Sequence, residues 1–373
     1  MKVAAIAPIR FSSPACVTGD ATQMRETVKA IQNIPGVQIE CLYYETPNEL
    51  TTSDRTKKIK WSELATLYDV AHVFCMFPKG YASVKPHLAK LPTLVSTVYW
   101  NNLFREYISV KNGTTPRFIL RSFEYIFRRI FNLKKPDFSS WCIGILPNSW
   151  AEGNVFRNVY KLKKHAICVP VPNATIPPEI DINNIPRPAC VPETDYIVCP
   201  GIFAPRKNQI ALIRAMKGRG IPIVFMGKEF DLVPKHYKKC IAEADKDMYF
   251  LGHIPSSSTQ YWAVLRHARA AVLTSDCETP GIAMIEAALA GARPIITIQG
   301  GTQEYFGLVA EYLNPFSQKS IRSAIFSAWR RGRLTQKEAS FFRHFSWDWT
   351  AELTVQAYHQ AVDVFNQYYS DLQ

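Results

Sequence analysis

The sequence predicts two α/β domains of similar size, each built on a parallel sheet. Three observations lead there. The chain has 373 residues, and at roughly 100–200 residues per domain two is the expected number. Short β-branched runs alternate with longer amphipathic runs along its length, the signature of βαβ units. Between Ala174 and Asp195 that alternation lapses, and Pro177, Pro178, Pro186, Pro188 and Pro192 crowd the stretch. Proline fixes φ and removes a backbone donor, so this reads as an extended linker. The expected organisation is an N-terminal domain over 1–173, a linker over 174–194, a C-terminal domain over 195–345, and a helical segment over 346–373 packing back toward the N-terminal domain.

In the first half, strands are expected near 2–8, 38–44, 70–77, 92–98, 142–148 and 165–171. The helix after the first strand spans Ala21 to Ile34, capped by Asp20 and ended by Pro35-Gly36. In the second half, strands are expected near 195–200, 222–227, 247–252, 270–275, 294–298 and 308–312, and an amphipathic helix from Trp347 onward. The opening MKVAAIAPIRF has the look of a secretory leader, but Pro8 and Arg10 break its short apolar run, so it reads as the first strand. No apolar run approaches the roughly 20 residues that cross a bilayer. The expected location is the cytoplasm, or the cytoplasmic face of a membrane.

An apolar content of 47% excludes disorder as the character of the chain. The 44 Lys and Arg against 31 Asp and Glu leave a net charge of +13, which favours anionic partners. The nine cysteines include no CxxC pair and sit mostly in strand-like runs such as AHVFCMF and YIVCPG, so buried reduced thiols are expected and a zinc ribbon is not. No spaced His/Asp/Glu cluster points to a metal. With no nucleic-acid module, polynucleotide binding is not expected.

The chemistry concentrates in Ser275-Asp276-Cys277-Glu278-Thr279-Pro280-Gly281-Ile282, between the strand-like AAVLTS and the helical IAMIEAALAGA. A glycine at such a turn exposes backbone N–H groups at a helix N-terminus, a geometry that suits phosphate or sugar oxygens. Glu278 falls where ligands bind in open α/β sheets. Glu286 falls about two turns into the helix, on the same side, in an otherwise apolar run where an unpaired charge is costly. Asp276 reads as the cap of this helix, set against a residue that orients a neighbour. Alone, the two acids would read as a helix-start acid and a surface acid.

This segment resembles the Glu–seven residues–Glu motif of retaining GT-B glycosyltransferases, in particular glycosyltransferase family 4. Gly201-Ile202-Phe203-Ala204-Pro205-Arg206-Lys207-Asn208 is similar to that family's phosphate-binding turn, Met248-Tyr249-Phe250-Leu251-Gly252-His253-Ile254-Pro255 to its strand and loop beside the nucleobase, and Gly300-Gly301 with Glu304 to its glycine–acid stretch. Pro147-Asn148-Ser149, Pro172-Asn173 and Phe345-Ser346-Trp347 fit the pattern elsewhere. The likeness is strong from about residue 140 onward and weaker before it.

The resemblance implies a GT-B fold, two Rossmann-like domains facing across a cleft, with a nucleotide-sugar donor held by the C-terminal one. Glu286 would take the ribose hydroxyls, Ile254 and His253 would lie by the base, and Lys207 would pair with the diphosphate. Glu278 and the N–H groups of Gly281 and Ile282 would lie near the donor sugar, with Thr279, Pro280, Gly201 and Gly227 in the same donor-binding set. Gly19 would approach the phosphates from the N-terminal domain. No cofactor is implied, and no metal is needed if cationic side chains neutralise the leaving diphosphate.

Two positions depart from the family. Ile202 stands where it usually has an arginine, and Arg206 is the candidate replacement cation, set against a plain surface charge. Tyr99-Trp100-Asn101-Asn102 stands where the family often has a histidine, so Tyr99 and Asn101 are the candidates to hydrogen-bond a sugar, set against core packing. A further feature, 117–135, carries Phe123, Phe127, Ile130 and Phe131 as an apolar stripe flanked by Arg121, Arg128, Arg129, Lys134 and Lys135. That pattern suits an anionic membrane surface and a lipid-linked acceptor, or an ordinary helix against the core. The leading expectation is a retaining, metal-independent glycosyltransferase of glycan or polysaccharide biosynthesis, acting on a saccharide or lipid-linked saccharide. The alternatives are a catalytically silent relative serving as a binding or membrane-associated subunit, and a nucleotide-sugar epimerase on the same fold.

Overall fold

The computed structural model describes residues 1–13, 16, 19–75, 81–99, 138–230 and 233–369. The chain divides into two units, Met1–Ala174 with Trp347–Gln373, and Thr175–Ser346.

Among its described residues the first unit carries eight strands: β1 (Lys2–Pro8), β2 (Gln38–Tyr44), β3 (Glu49–Thr52), β4 (Lys58–Lys60), β5 (Val70–Phe74), β6 (Thr93–Ser96), β7 (Gly144–Leu146) and β8 (Ile167–Cys168). They lie in the order β4-β3-β2-β1-β5-β6-β7-β8. The six strands expected from sequence are the parallel ones. β3 and β4 were not expected: they add an antiparallel edge, and ELTT and KIK are too short and too polar to show a strand period. The first helix spans Gly19–Ile31 rather than Ala21–Ile34. Asp20 therefore lies inside its first turn, where its carboxylate accepts from the Ala21 amide at 3.1 Å.

The helix Trp347–Tyr368 belongs to this first unit, and Ala351, Ala357, Tyr358 and Ala361 are fully buried on it. Tyr358 reaches a side chain that sequence patterning did not single out, His72 in the middle of β5. The two His72 ring nitrogens pair with the Tyr358 hydroxyl and with Ser96 Oγ, each at 2.8 Å. Burial among neutral partners pulls the imidazole down to about 3.

Among its described residues the second unit carries six parallel strands, β9 (Ile197–Pro200), β10 (Ile223–Met226), β11 (Met248–Phe250), β12 (Ala270–Leu273), β13 (Arg293–Thr297) and β14 (Glu311–Leu313), in the order β11-β10-β9-β12-β13-β14. β9, β10, β12 and β13 are buried along their whole length, as strands covered by helices on both faces must be. The proline-rich stretch packs into this unit. The Thr175 amide donates to Phe345 O at 3.1 Å, His267 Nε2 donates to Ile185 O at 2.8 Å, and the Arg187 guanidinium lies over the Tyr196 ring.

All nine cysteines are free thiols, but only Cys142, Cys199 and Cys240 are buried. Cys41, Cys75 and Cys168 are half-buried: Cys41 shares the inward side of β2 with Ile39, Cys75 follows the end of β5, and Cys168 lies on the edge strand β8. Among the described residues no helix is long and apolar enough to cross a membrane, and no group of His, Cys, Asp and Glu stands ready to hold a metal ion. The 117–135 segment lies outside the described residues.

Candidate active site

Numbered from β9, the second sheet runs 3-2-1-4-5-6, and its order reverses between β9 and β12. Ligands of open α/β sheets bind outside the carboxyl ends of the strands at such a reversal. The loop after β9 carries Arg206 and Lys207, and the loop after β12 carries Ser275 to Gly281. The two loops are tied together. The Asp276 amide donates to Arg206 O at 2.8 Å, and Thr274 Oγ1 donates to Lys207 O at 3.2 Å and Asn208 O at 3.0 Å. Asn208 takes a left-handed conformation, with φ 54°, and its side chain donates to Pro315 O at 2.8 Å. Lys207 is thus aimed by backbone bonds on both of its sides.

Lys207 Nζ lies 2.5 Å from Glu278 Oε1, and the Ser275 hydroxyl donates to the same oxygen at 2.5 Å. Both members of the ion pair are largely shielded, with side chains 12% and 7% exposed. Burial alone would raise the Glu278 carboxyl. The Lys207 and Arg206 charges and the two hydrogen bonds outweigh it and hold Glu278 below its ordinary 4.5. The backbone of Glu278 is fixed as well: its amide donates to Gln299 O and its carbonyl accepts from the Gly301 amide, each at 3.1 Å. Gly300 allows that approach, since a Cβ there would stand 2.0 Å from Glu278 O.

Gly281, at φ +79°, is the N-cap of the helix Ile282–Leu289, a conformation that glycine adopts without steric cost. Asp276 therefore does not cap this helix; it lies five positions upstream, in the joint with the Arg206 loop. A Cβ on Gly281 would be 3.4 Å from Glu278 Oε2, so the carboxylate sits at the helix start beside amides that have no intrahelical acceptor. The cluster combines a fixed cation, a fixed carboxylate and free N–H groups. An ammonium has three donors, and Glu278 takes one of them.

Glu286 lies within the helix, buried, and its partners are neutral. Tyr261 OH donates to Oε2 at 2.5 Å and Thr175 Oγ1 donates to Oε1 at 3.2 Å. Burial raises this carboxyl above 4.5, and the two hydroxyls offset only part of that rise. Sequence reading did not single out Ser275, Tyr261 or Thr175 as carboxylate partners. A hydroxyl on a loop or on an apolar helix face carries no pattern of its own until the fold brings an acid to it.

The other expected residues fall as follows. Gly201 and Gly227 sit beside each other at the ends of β9 and β10. The Gly201 amide donates to Met226 O and the Gly227 amide to Gly252 O, each at 2.8 Å. Ile254 is buried and His253 exposed in the loop after β11, while Thr279 and Ile282 are half-buried and Pro280 is buried. Arg206 is exposed, and the Ile202 carbonyl accepts from Gln209 Nε2 at 2.9 Å. In the first unit, Gly19 is the first residue of its helix rather than part of the preceding loop. The Tyr99 ring packs edge-on against Phe156 and Tyr160 at 5.5 and 5.4 Å, and its amide donates to Glu152 Oε1 at 2.9 Å. That is the core-packing arrangement. Asn101 lies outside the described residues.

Residues 183–313 match the family described as Glycosyl transferases group 1. No curated protein sequence matches the chain. Among solved structures, sucrose-phosphate synthase from Thermosynechococcus elongatus is similar over 98% of this chain and 100% of its own, with a TM-score of 0.69 and 16% identity. Anabaena HepE in complex with UDP and glucose is similar over 96% of this chain and 100% of its own, with a TM-score of 0.59 and 12% identity. WaaG, a glycosyltransferase involved in lipopolysaccharide biosynthesis, is similar over 97% and 99%, with a TM-score of 0.55 and 11% identity.

Proposed function

We propose that this chain, a GT-B protein whose residues 183–313 match the group 1 glycosyl transferases, moves a sugar from a nucleoside diphosphate to a saccharide or lipid-linked saccharide with retention at the anomeric carbon. The observation that carries this reading is the shielded Lys207–Glu278 pair at 2.5 Å, set at the helix start where the sheet order reverses. The structure of HepE with UDP and glucose supports a nucleotide-linked sugar as the ligand class on this fold.

The glycosyl C1–O bond breaks with its electron pair passing to the diphosphate. Lys207 and the N–H groups at Gly281 and Ile282 stabilise the charge that grows there, which is where preorganised donors act most strongly. Arg206 adds a second cation from the same loop. The sugar becomes cation-like, and Glu278, held ionised, stabilises it. The acceptor hydroxyl adds on the face the diphosphate leaves, and its proton passes to the departing phosphate oxygen. These cations supply the charge neutralisation that a metal ion supplies elsewhere, so transfer is expected to survive a chelator.

A thermal-shift panel of UDP, GDP, ADP and dTDP sugars identifies the donor class, because binding to the folded state alone raises apparent stability. Transfer from the winning donor should then fall by about a thousandfold in Glu278→Ala. A chain that shows no shift with any nucleotide sugar and no transfer that Glu278→Ala removes would be a silent relative, and the proposal would be wrong.

A further inference from the structure

The two hydroxyls on Glu286 are themselves held in place by their own surroundings. Tyr261 sits one turn into the helix Thr259–His267, whose start is firmly held: Ser258 Oγ accepts from the Tyr261 amide at 3.2 Å, and the Trp262 indole donates to Ser256 O at 2.9 Å. That helix directly follows the loop of His253 and Ile254. Thr175 is held from the other side by the hydrogen bond its amide N–H donates to Phe345 O at 3.1 Å. The two hydroxyls reach different oxygens of one carboxylate, Tyr261 to Oε2 at 2.5 Å and Thr175 to Oε1 at 3.2 Å. All three side chains belong to buried residues.

We propose that Tyr261 and Thr175 are positioning residues that fix the plane of the Glu286 carboxylate so that the site selects a ribonucleoside diphosphate, with both ribose hydroxyls, over its 2′-deoxy counterpart. This rests on the donor-site reading above. An ionised carboxylate offers about four acceptor positions, two on each oxygen. The two hydroxyls take one on each oxygen and leave one on each, a spacing that matches a vicinal diol. Without Tyr261 the carboxylate is free to rotate about its last torsion, which is broad for a terminal sp³–sp² bond, and the second diol contact loses its fixed partner. Tyr261 also links two recognition elements, since the helix that carries it leads out of the base-side loop.

The test is calorimetric titration of UDP, GDP and ADP and of their 2′-deoxy forms into wild type, Tyr261→Phe, Thr175→Val, Thr175→Ser and Glu286→Gln, each checked for a native circular dichroism spectrum. Wild type should prefer the ribo form. In Tyr261→Phe that preference should fall by about tenfold, through loss of ribo affinity, because a hydrogen bond to a charged group is at stake. Thr175→Val should show a smaller fall, and Thr175→Ser should restore wild-type preference. A purely structural role would weaken ribo and deoxy binding alike and leave the ratio unchanged, which overturns the proposal. Equal or tighter ribo binding in Tyr261→Phe also overturns it, since Tyr261 would then compete with the ribose. If Glu286→Gln loses the preference while Tyr261→Phe keeps it, the donor-site reading survives and this inference alone fails. If wild type binds none of the nucleotides, the donor-site reading itself fails.

Discussion

Glu278 and Glu286 are both buried carboxylates of the same strand–turn–helix segment, and their surroundings push them in opposite directions. Glu278 has a cation at 2.5 Å and sits at a helix start, and it is held below its ordinary value of 4.5. Glu286, inside the helix, has two neutral hydroxyls as its partners among the described residues, and burial raises it. Burial is the first influence on both, so the partner, and not the degree of shielding, decides the outcome. A full positive charge beside a shielded carboxylate outweighs its desolvation, whereas dipolar hydroxyls do not. The result separates two jobs that one residue type can do: a committed anion against a developing positive charge, and a strong acceptor for neutral hydroxyls.

The largest effect that breaks this contrast is removal of the cation. Lys207→Met leaves Glu278 shielded without its partner, and breaking a buried pair from one side costs about 3–5 kcal/mol. Adding Glu278→Gln removes the stranded charge and should restore most of that loss. Denaturant melts of the two single variants and the double variant measure the coupling directly. Additive losses in the double variant would mean that Lys207 does not set the state of Glu278.

That Lys207 and Glu278 belong to one site was readable in the sequence through the family resemblance, which aims Lys207 at a diphosphate and not at Glu278. Lys207 and Glu278 stand 71 positions apart, yet each lies after an apolar strand run at a turn into a helix, and the reversal of strand order brings such turns together. What was not legible is what the two glutamates have for partners. Ser275, Tyr261 and Thr175 are ordinary polar residues in sequence; the distance of Ser275 to Glu278 is set by the path of their shared loop, and those of Tyr261 and Thr175 to Glu286 by the packing of a whole helix and of the proline-rich stretch. The helix near Gly281 shows a similar limit. Asp276 has the right residue type for a cap, but the loop runs on through Pro280 and the helix begins only after Gly281. In the first unit, alternation revealed the parallel strands because burial on both faces demands long apolar runs. It missed the β3–β4 edge, which turns only Leu50, Thr52 and Ile59 inward, too few positions to show a period.

His72 extends the comparison to the opposite charge type. Like Glu286 it is buried among neutral partners, Tyr358 and Ser96, and its imidazole is pulled down to about 3 from an ordinary 6.5. A depressed histidine is stabilising when neutral, so its contribution is complete above about 6.5 and is lost as the pH falls toward 3. The expected slope is about 1.4 kcal/mol per pH unit below roughly pH 6. His72→Asn, compared with wild type in denaturant melts from pH 7 to 4.5, should flatten the acid side of the stability curve. An unchanged slope would mean that other groups dominate acid unfolding.

The smallest effect is the most discriminating, because it sets the two glutamates against each other in sign. Glu286 is raised in the folded protein, so its favourable contribution is present below 4.5 and fades as the pH rises through its folded value. Glu286→Gln should therefore gain on wild type as the pH is raised from 4.5 to 8. Glu278 is lowered, so its contribution is present above 4.5 and is lost as the pH falls. Glu278→Gln should thus be at its greatest disadvantage near neutrality and recover in acid. Thermal melts of both variants across that range give two difference curves with opposite slopes if the partner decides the charge state. Parallel curves would mean that burial alone governs both carboxylates, and that Lys207 at 2.5 Å contributes less than its own desolvation takes away.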